Sequence, residues 1–338
     1  MAITDIFNRK TYTIKPFDRT TTEPLRGLLA LLIVAHHLGP HIHIPFFSFF
    51  LPRIGGLIVA IFFMLSGYGL FISFRNKGRS YLDGFLKKRF SKILPLFILL
   101  TLVEIITAWI GGKSLNQQLL SFTANGDTPL PFSWFIYAII YAYIAFYCSA
   151  MIGKTLMRTG LIFFAFTAVY MIFISCYCKW GGYWYATLPT INLGYYLGYY
   201  DKEISARIQK RPIAILLGTL VIMLYLFTTI PSFSDTNSLP SIQKILTRMY
   251  ICGGMMVKTA CVYILIRILG MLKWKPLMWV GAFSMELYLI HGMVLTRLNN
   301  TMQEWNDILF VCATYAISIL SAYVAHKIFS RIKFNHVK

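Results

Sequence analysis

Long apolar runs, separated by short polar segments, dominate the pattern of this chain. An α-helix needs about 20 apolar residues to cross the hydrocarbon core of a bilayer, and most of the runs approach that length. Because the bilayer holds no water to satisfy backbone N–H and C=O groups, such runs must be helical. We predict ten membrane spans, at 25–39, 55–74, 90–111, 133–152, 157–176, 186–200, 212–230, 249–270, 276–295 and 308–328. The first and sixth fit the pattern least well, because the first contains two histidines and the sixth is short and rich in tyrosine.

The intervening segments differ in their lysine and arginine content, and this difference predicts a topology. With the N-terminus in the cytoplasm, the cytoplasmic segments hold 24 Lys and Arg residues and the opposite segments hold 6. Cytoplasmic loops of membrane proteins carry such an excess. We therefore predict an all-α integral membrane protein with both termini in the cytoplasm. It comprises a cytoplasmic segment at 1–24, a transmembrane domain at 25–330 and a cytoplasmic tail at 331–338.

Composition agrees with this class and argues against two other functions. Hydrophobic residues make up 57% of the chain and charged residues 13%, whereas soluble domains carry about 25% charged residues. The net charge of +20 suggests nucleic-acid binding, but the basic residues alternate between loops, so we predict no nucleic-acid partner. Cys176 and Cys178 lack the second ligand pair of a zinc site, so we predict no metal and interpret the six cysteines as buried thiols.

Ionisable side chains within the spans are candidate functional residues, because lipid penalises each one unless it faces a cavity or a partner. Arg26 and His37 in the first span are eleven residues apart, so they share a helix face and lie about 16 Å apart along its axis. His36 points about 80° to one side of that face. The pair predicts a hydrophilic cavity, and the structural alternative is a snorkelling Arg26 with His37 bound to a buried carbonyl.

Polar groups also occur in the second and third spans. Ser66-Gly67 in the second span is typical of close helix packing. Arg89 and Lys92 are three residues apart at the start of the third span, on one face of the helix. We expect them in its first turn, where free N–H groups and the helix dipole add to their charge and favour phosphate. A simple excess of cytoplasmic charge is the alternative interpretation.

The ninth span carries a continuous polar stripe. Ser284, Tyr288 and His291 are separated by four and three residues, so they lie on one helix face. A hydroxyl, a phenol and an imidazole in a row indicate a polar channel rather than a lipid-facing surface. Glu286 lies off this stripe, and we expect it to pair with a neighbouring helix, with Lys258 as one candidate partner.

In this order, the motifs resemble acyltransferase family 3 of bacterial membrane proteins. The matching features are Arg26 followed by His37, Phe62-Phe63 with Ser66-Gly67, Arg89 with Lys92-Ile93 and Pro95, Trp134 with Tyr137, and Ser284 with Tyr288 and His291. The resemblance covers about residues 20 to 295. It implies a ten-helix membrane acyltransferase that moves an acyl group, usually acetyl from acetyl-CoA, to a hydroxyl of an extracytoplasmic carbohydrate such as a surface polysaccharide. It also implies a multi-pass protein of the bacterial inner membrane.

For the donor, the resemblance implies that Arg26, Arg89 and Lys92 hold the phosphates of acetyl-CoA. The family usually has arginine at both positions of its third motif, and here the second is Lys92. Lysine keeps the charge but lacks the bidentate fork of a guanidinium, so donor affinity is the property that this departure affects. Arg26 also belongs to the catalytic candidates.

For the transfer itself, the resemblance implies that the deeper histidine of the first span is central. We expect His37 to act as a general base toward the acceptor hydroxyl, or as a nucleophile that carries the acyl group. The residues that we expect to orient the acceptor or to stabilise the oxyanion are Ser66, Tyr288 and His291. The expected partners are an acyl-CoA donor, a carbohydrate or glycolipid acceptor and membrane lipid. The sequence carries no indication of oligomeric state.

Two other classes of function fit the pattern less well. A transporter or flippase for an anionic or lipid-linked substrate would use Arg26, Glu104 and Lys258 as a path, but inverted repeats are not apparent. A non-catalytic scaffold does not account for an arginine and a histidine on one face of the first span. If the protein is an acyltransferase, succinyl is an alternative acyl group. A lipid headgroup, a peptide or a small molecule is then an alternative acceptor.

Overall fold

The computed structural model describes residues 13–15, 17–230, 239–271, 273–301 and 306–331, and these residues form α-helices and short helical turns without a β-strand. In chain order the helices are α1 (Arg19–Leu38), α2 (Pro45–Lys77), α3 (Phe85–Ile110), α4 (Leu115–Asn125), α5 (Trp134–Ile152), α6 (Leu156–Ile172), α7 (Pro189–Tyr199), α8 (Asp201–Lys210), α9 (Pro212–Thr229), α10 (Ser241–Leu269), α11 (Lys275–Ala282), α12 (Ser284–Thr301) and α13 (Asp307–Arg331). Most of the predicted N-terminal segment, 1–12, and residues 332–338 of the predicted tail lie outside the described residues.

Seven helical segments of the described residues are long and apolar enough to cross a membrane. They are Ser48–Leu82, Phe85–Ile110, Trp134–Ile152, Leu156–Cys178, Pro212–Thr229, Ile242–Leu269 and Asp307–Ser330. An eighth candidate is the pair α11 and α12, which is bent by 78°. The prediction of an all-α protein with several membrane spans is thus confirmed, but the count of ten is not.

The first and sixth predicted spans account for the difference between the ten predicted spans and the eight candidates. Helix α7 has 11 residues, about 16 Å of helix, which is roughly half of the hydrocarbon thickness. Helix α1 has 20 residues but is not apolar enough to be a candidate span, because its sequence includes five charged or imidazole side chains. Both helices pack inside the bundle, α1 against α2, α11 and α12, and α7 against α2.

Glycines set how closely these inner helices approach. A Cβ at Gly67 of α2 would collide with the carbonyl oxygen of Ile191 in α7. A Cβ at Gly27 of α1 would likewise collide with the carbonyl oxygen of Leu277 in α11. Backbone contact of this kind is a common basis of helix association in membranes. The packing interpretation of Ser66-Gly67 is therefore confirmed for Gly67.

Apolar side chains cover the outside of the bundle. In the most apolar stretch of 18 residues of Phe85–Ile110, and in that of Pro212–Thr229, only 17% of the residues are buried within the protein. A water-soluble fold does not expose apolar surface on this scale, so these faces are in contact with lipid. Cys176 and Cys312 are exposed as well, so the prediction of buried thiols is wrong for these two.

Candidate active site between two cavities

A cavity of about 1570 Å³ opens around the first half of α1, and we call it the basic cavity. It is bounded by α1, α2, the first turns of α3, α5, the bend between α11 and α12, and the end of α13. Its lining includes the four cations Arg19, Arg26, Arg89 and Lys92. The acidic residues in the same lining are Asp18 and Glu286. The structure thus brings Arg26, Arg89 and Lys92 to one cavity, and their predicted role in binding the donor stays a prediction.

The cations of the basic cavity are presented in different ways. Arg89 is held in place, since its Nη2 donates to the Tyr81 hydroxyl at 2.9 Å and its guanidinium lies 5.0 Å from the centre of the Tyr143 ring. The Nε of Arg26 is buried and has no hydrogen-bond partner among the described residues. Lys92 is exposed. An oriented arginine and a buried, unsatisfied N–H together form an anion-binding surface.

The predicted position of Arg89 and Lys92 in the helix is wrong. Helix α3 begins at Phe85, five residues before the predicted span, so Arg89 and Lys92 lie in its second and third turns. The four amides without intrahelical partners belong to the first four residues. Charge from the two side chains, rather than free backbone N–H groups, is what this surface offers to a phosphate.

A second cavity of about 450 Å³ lies around the last turns of α1, and we call it the aromatic cavity. Helix α1 contributes Ile33, His36 and His37, and helix α2 contributes Gly55 and Val59. The segment before α5 contributes Gly126, Asp127, Thr128 and Phe132, the start of α5 contributes Trp134, and the segment before α7 contributes Tyr183. Among the residues that the structure describes, no lysine or arginine lines this cavity. Tyr288 lines both cavities, so the two sites meet at its side chain.

His37 and His291 form a hydrogen-bonded pair at this junction. The Nδ1 of His37 is 2.8 Å from the Nε2 of His291, and the Nδ1 of His291 is 2.7 Å from the carbonyl oxygen of Tyr288. A carbonyl accepts only, so His291 carries its proton on Nδ1 and accepts at Nε2 when neutral. His37 must then donate from Nδ1, which leaves the Nε2 of His37 as a lone pair.

This assignment gives His291 a specific task. His291 is fully buried and lines neither cavity, so it is not placed to touch an acceptor. Instead it fixes the orientation and tautomer of His37, as the third group of a catalytic triad does for its histidine. The structure thus places His291 behind His37, and the expectation that His291 orients the acceptor or stabilises the oxyanion stays a prediction.

Two hydroxyls that we expected to orient the acceptor are engaged elsewhere. Ser66 donates to the carbonyl oxygen of Phe62 at 3.0 Å and lines the basic cavity, away from His37. Tyr288 donates to the carbonyl oxygen of Phe132 at 2.5 Å. Neither proton is free for an oxyanion in this structure, and Tyr288 instead closes the wall between the cavities.

Phe132 is a residue of the site that the sequence did not reveal. Its ring stacks on the His37 imidazole with centres 3.7 Å apart and an angle of 11° between the planes. Its backbone has a φ of 61°, a conformation that bulky side chains rarely adopt. No local pattern marks this loop residue, because its contacts with His37 and Tyr288 come from distant parts of the chain.

The proposed path of a transporter is not assembled. Glu104 forms an ion pair with Arg297, and Lys258 donates to the carbonyl oxygen of Ile230 at 2.8 Å. Neither Glu104 nor Lys258 lines the basic or the aromatic cavity. The candidate pairing of Glu286 with Lys258 is also wrong, because Glu286 binds the Nδ1 of His326 at 2.8 Å.

Comparison with known protein families identifies the class of this chain. A family model described as an acyltransferase domain matches residues 24–327. The chain belongs to acyltransferase family 3. It is an acyltransferase with several membrane helices, and the matched range contains every site residue that the sequence predicts. In the same comparisons no curated protein and no solved structure matches the chain.

Proposed function

We propose that this acyltransferase moves an acyl group, most favourably acetyl, from acyl-CoA in the basic cavity to a hydroxyl of a neutral carbohydrate in the aromatic cavity. The observation that carries the proposal is the position of His37. His37 lines the aromatic cavity together with Tyr288, which also lines the basic cavity, and the Nε2 of His37 has no hydrogen-bond partner among the described residues. A donor and an acceptor that approach from opposite ends of α1 therefore converge on one imidazole.

The basic cavity fits the donor. Coenzyme A carries phosphate groups at one end and a slender pantetheine arm with the thioester at the other. Arg26, Arg89 and Lys92 supply charge for the phosphates, and the rise from Arg26 to His37 is about 16 Å of helix. By the distribution of basic residues this end of α1 faces the cytoplasm, the compartment that holds coenzyme A.

The aromatic cavity fits a neutral acceptor rich in hydroxyl groups. Trp134, Tyr183 and Phe132 offer ring surface on which a sugar can pack. Asp127 contributes a carboxylate, and no lysine or arginine of the described part of the chain lines the cavity. An anionic headgroup would meet repulsion here without a compensating cation, whereas hydroxyl groups can donate to the carboxylate and to imidazole nitrogen.

In the transfer step, the Nε2 of His37 takes the proton of the acceptor hydroxyl while that oxygen attacks the thioester carbonyl. A C–O bond forms, the C–S bond breaks, and the coenzyme A sulfur leaves with the proton returned by His37. His291 stabilises the transient imidazolium by accepting from its Nδ1–H. The same lone pair also permits a two-step route in which the acyl group first binds Nε2 and then moves to the acceptor.

The experiment is a transfer assay with protein purified in detergent, radiolabelled acetyl-CoA and a panel of phenyl glycosides. We expect alkali-labile label on the glycoside, in proportion to protein. Binding of acetyl-CoA without transfer to any hydroxyl acceptor would contradict the proposal. Movement of an anionic substrate across proteoliposomes without acyl transfer would support the transporter instead.

A further inference from the structure

His36 presents a second lone pair to the aromatic cavity. Its Nδ1 lies 3.0 Å from the carbonyl oxygen of Leu51, so Nδ1 is the donor and Nε2 the acceptor of the neutral ring. Among the described residues, neither the Nε2 of His36 nor that of His37 has a hydrogen-bond partner. Both side chains line the same cavity. Two neighbouring imidazoles thus offer acceptors that no donor among the described residues satisfies.

The orientation of His36 is built into the packing of α1 against α2. A Cβ at Gly55 would collide with the Nε2, Cδ2 and Cε1 atoms of the His36 ring. The ring therefore lies directly on the backbone of α2, where only glycine leaves room for it. Together with the bond to Leu51, this contact fixes the ring from two sides. Such a constraint is unexpected for an imidazole that merely fills space.

The two rings are close enough to hold two groups of one ligand. Their centres are 4.7 Å apart and their planes are tilted by 52°. Each O–H···N hydrogen bond spans about 2.8 Å, so hydroxyl groups on adjacent carbons can reach both nitrogens at once. From the geometry we infer that this site recognises an acceptor with two adjacent hydroxyls. His37 activates one of them, and His36 binds the other as a specificity-determining residue. This inference rests on the proposed transfer to a carbohydrate.

The arrangement predicts selectivity for position as well as for substrate. An acceptor that lacks the neighbouring hydroxyl leaves the Nε2 of His36 without a donor, and a site built around a hydrogen bond discriminates against such an analogue. Because the cavity is open to solvent, water compensates part of the loss, and we expect about tenfold weaker binding for the analogue.

The test compares phenyl β-glucopyranoside with its three mono-deoxy analogues at ring positions 2, 3 and 4. Binding is measured by calorimetry without donor, and transfer is measured with acetyl-CoA. In the wild-type protein, we expect at least one deoxy analogue to bind about tenfold more weakly. His36→Phe keeps an aromatic ring but removes the nitrogen acceptor. The ratio of the dissociation constants of that analogue and the parent glycoside should therefore fall toward one. Gly55→Ala displaces the same ring without changing His36 and should have the same effect.

Two controls separate this role from a general loss of structure. His43→Phe replaces an exposed histidine outside both cavities. Gly218→Ala adds a methyl group to a helical position with open space around it. Both should keep the wild-type ratio. The inference would be overturned by an unchanged ratio in both His36→Phe and Gly55→Ala. It would also be overturned by a wild-type protein that binds all four glycosides equally or binds none of them. Selective binding without any transfer would instead contradict the proposed function and the activating role of His37, while recognition of the adjacent hydroxyl by His36 would stand.

Discussion

The two ends of α1 differ in kind, although they belong to one helix. Around Arg26 the cavity is large and lined by cations from α1 and α3. Around His37 the cavity is less than a third of that volume, and its described lining includes aromatic rings and imidazoles but no lysine or arginine. One end offers charge to a ligand, and the other offers ring surfaces and hydrogen-bond acceptors. Under the proposed function, the donor and the acceptor are therefore recognised by different interactions, with Tyr288 and His37 at the boundary.

The largest effect should come from removing the reacting group at that boundary. We expect His37→Ala to lower the transfer rate by about a factor of 10³, because general acid–base catalysis contributes 10²–10⁴. Binding of acetyl-CoA, measured by calorimetry, should change less than twofold, since His37 does not line the basic cavity. His43→Ala serves as the control and should retain activity. A His37→Ala protein with normal turnover would remove this residue from the mechanism.

The second effect concerns the residue that orients His37. His291→Ala leaves the Nδ1–H of His37 without its acceptor, and we expect kcat to fall by about 10² with an unchanged KM for the donor. His291→Gln restores an oxygen acceptor and should recover part of kcat. A merely structural role predicts equal losses in the two variants together with lower protein yield. Rates and detergent-extracted yield are measured side by side.

The third effect belongs to the basic cavity. Arg26→Ala removes a half-buried charge from the cavity lining, and we expect the KM for acetyl-CoA to rise about tenfold with a smaller change in kcat. S-Acetyl-pantetheine lacks the nucleotide phosphates, so wild type and variant should use it equally. Lys88→Ala, a lysine on α3 outside the cavity, is the matched control. An unchanged dissociation constant of acetyl-CoA in Arg26→Ala would refute the donor role of Arg26.

The smallest effect should come from restoring the usual arginine of the family's third motif. Lys92→Arg adds a bidentate fork to an exposed position, and we expect the KM for acetyl-CoA to fall about two- to threefold. This gain should disappear in 0.5 M salt, because salt screens an exposed charge. The same salt should not affect binding of a neutral glycoside in the aromatic cavity. A gain that persists at high salt would point to packing rather than charge.

The membrane class, the helical architecture and the position of Arg26 and His37 on one face of the first helix could all be predicted from the sequence. These features follow from residue spacing and from the cost of unsatisfied groups in lipid, which act locally along the chain. The sequence also indicated which residues carry chemistry, because ionisable groups within apolar runs are conspicuous.

The contacts of those residues, by contrast, depend on how the helices pack together. The bond between His37 and His291 joins residues 254 positions apart, and the stacking of Phe132 on His37 joins a loop to a helix. The proximity of Gly55 to His36, and the inclusion of the short α7 within the bundle, likewise depend on which helices pack together. Spacing fixes the face of one helix, but a tautomer, a cavity wall and a hydrogen-bond partner are properties of several elements in contact.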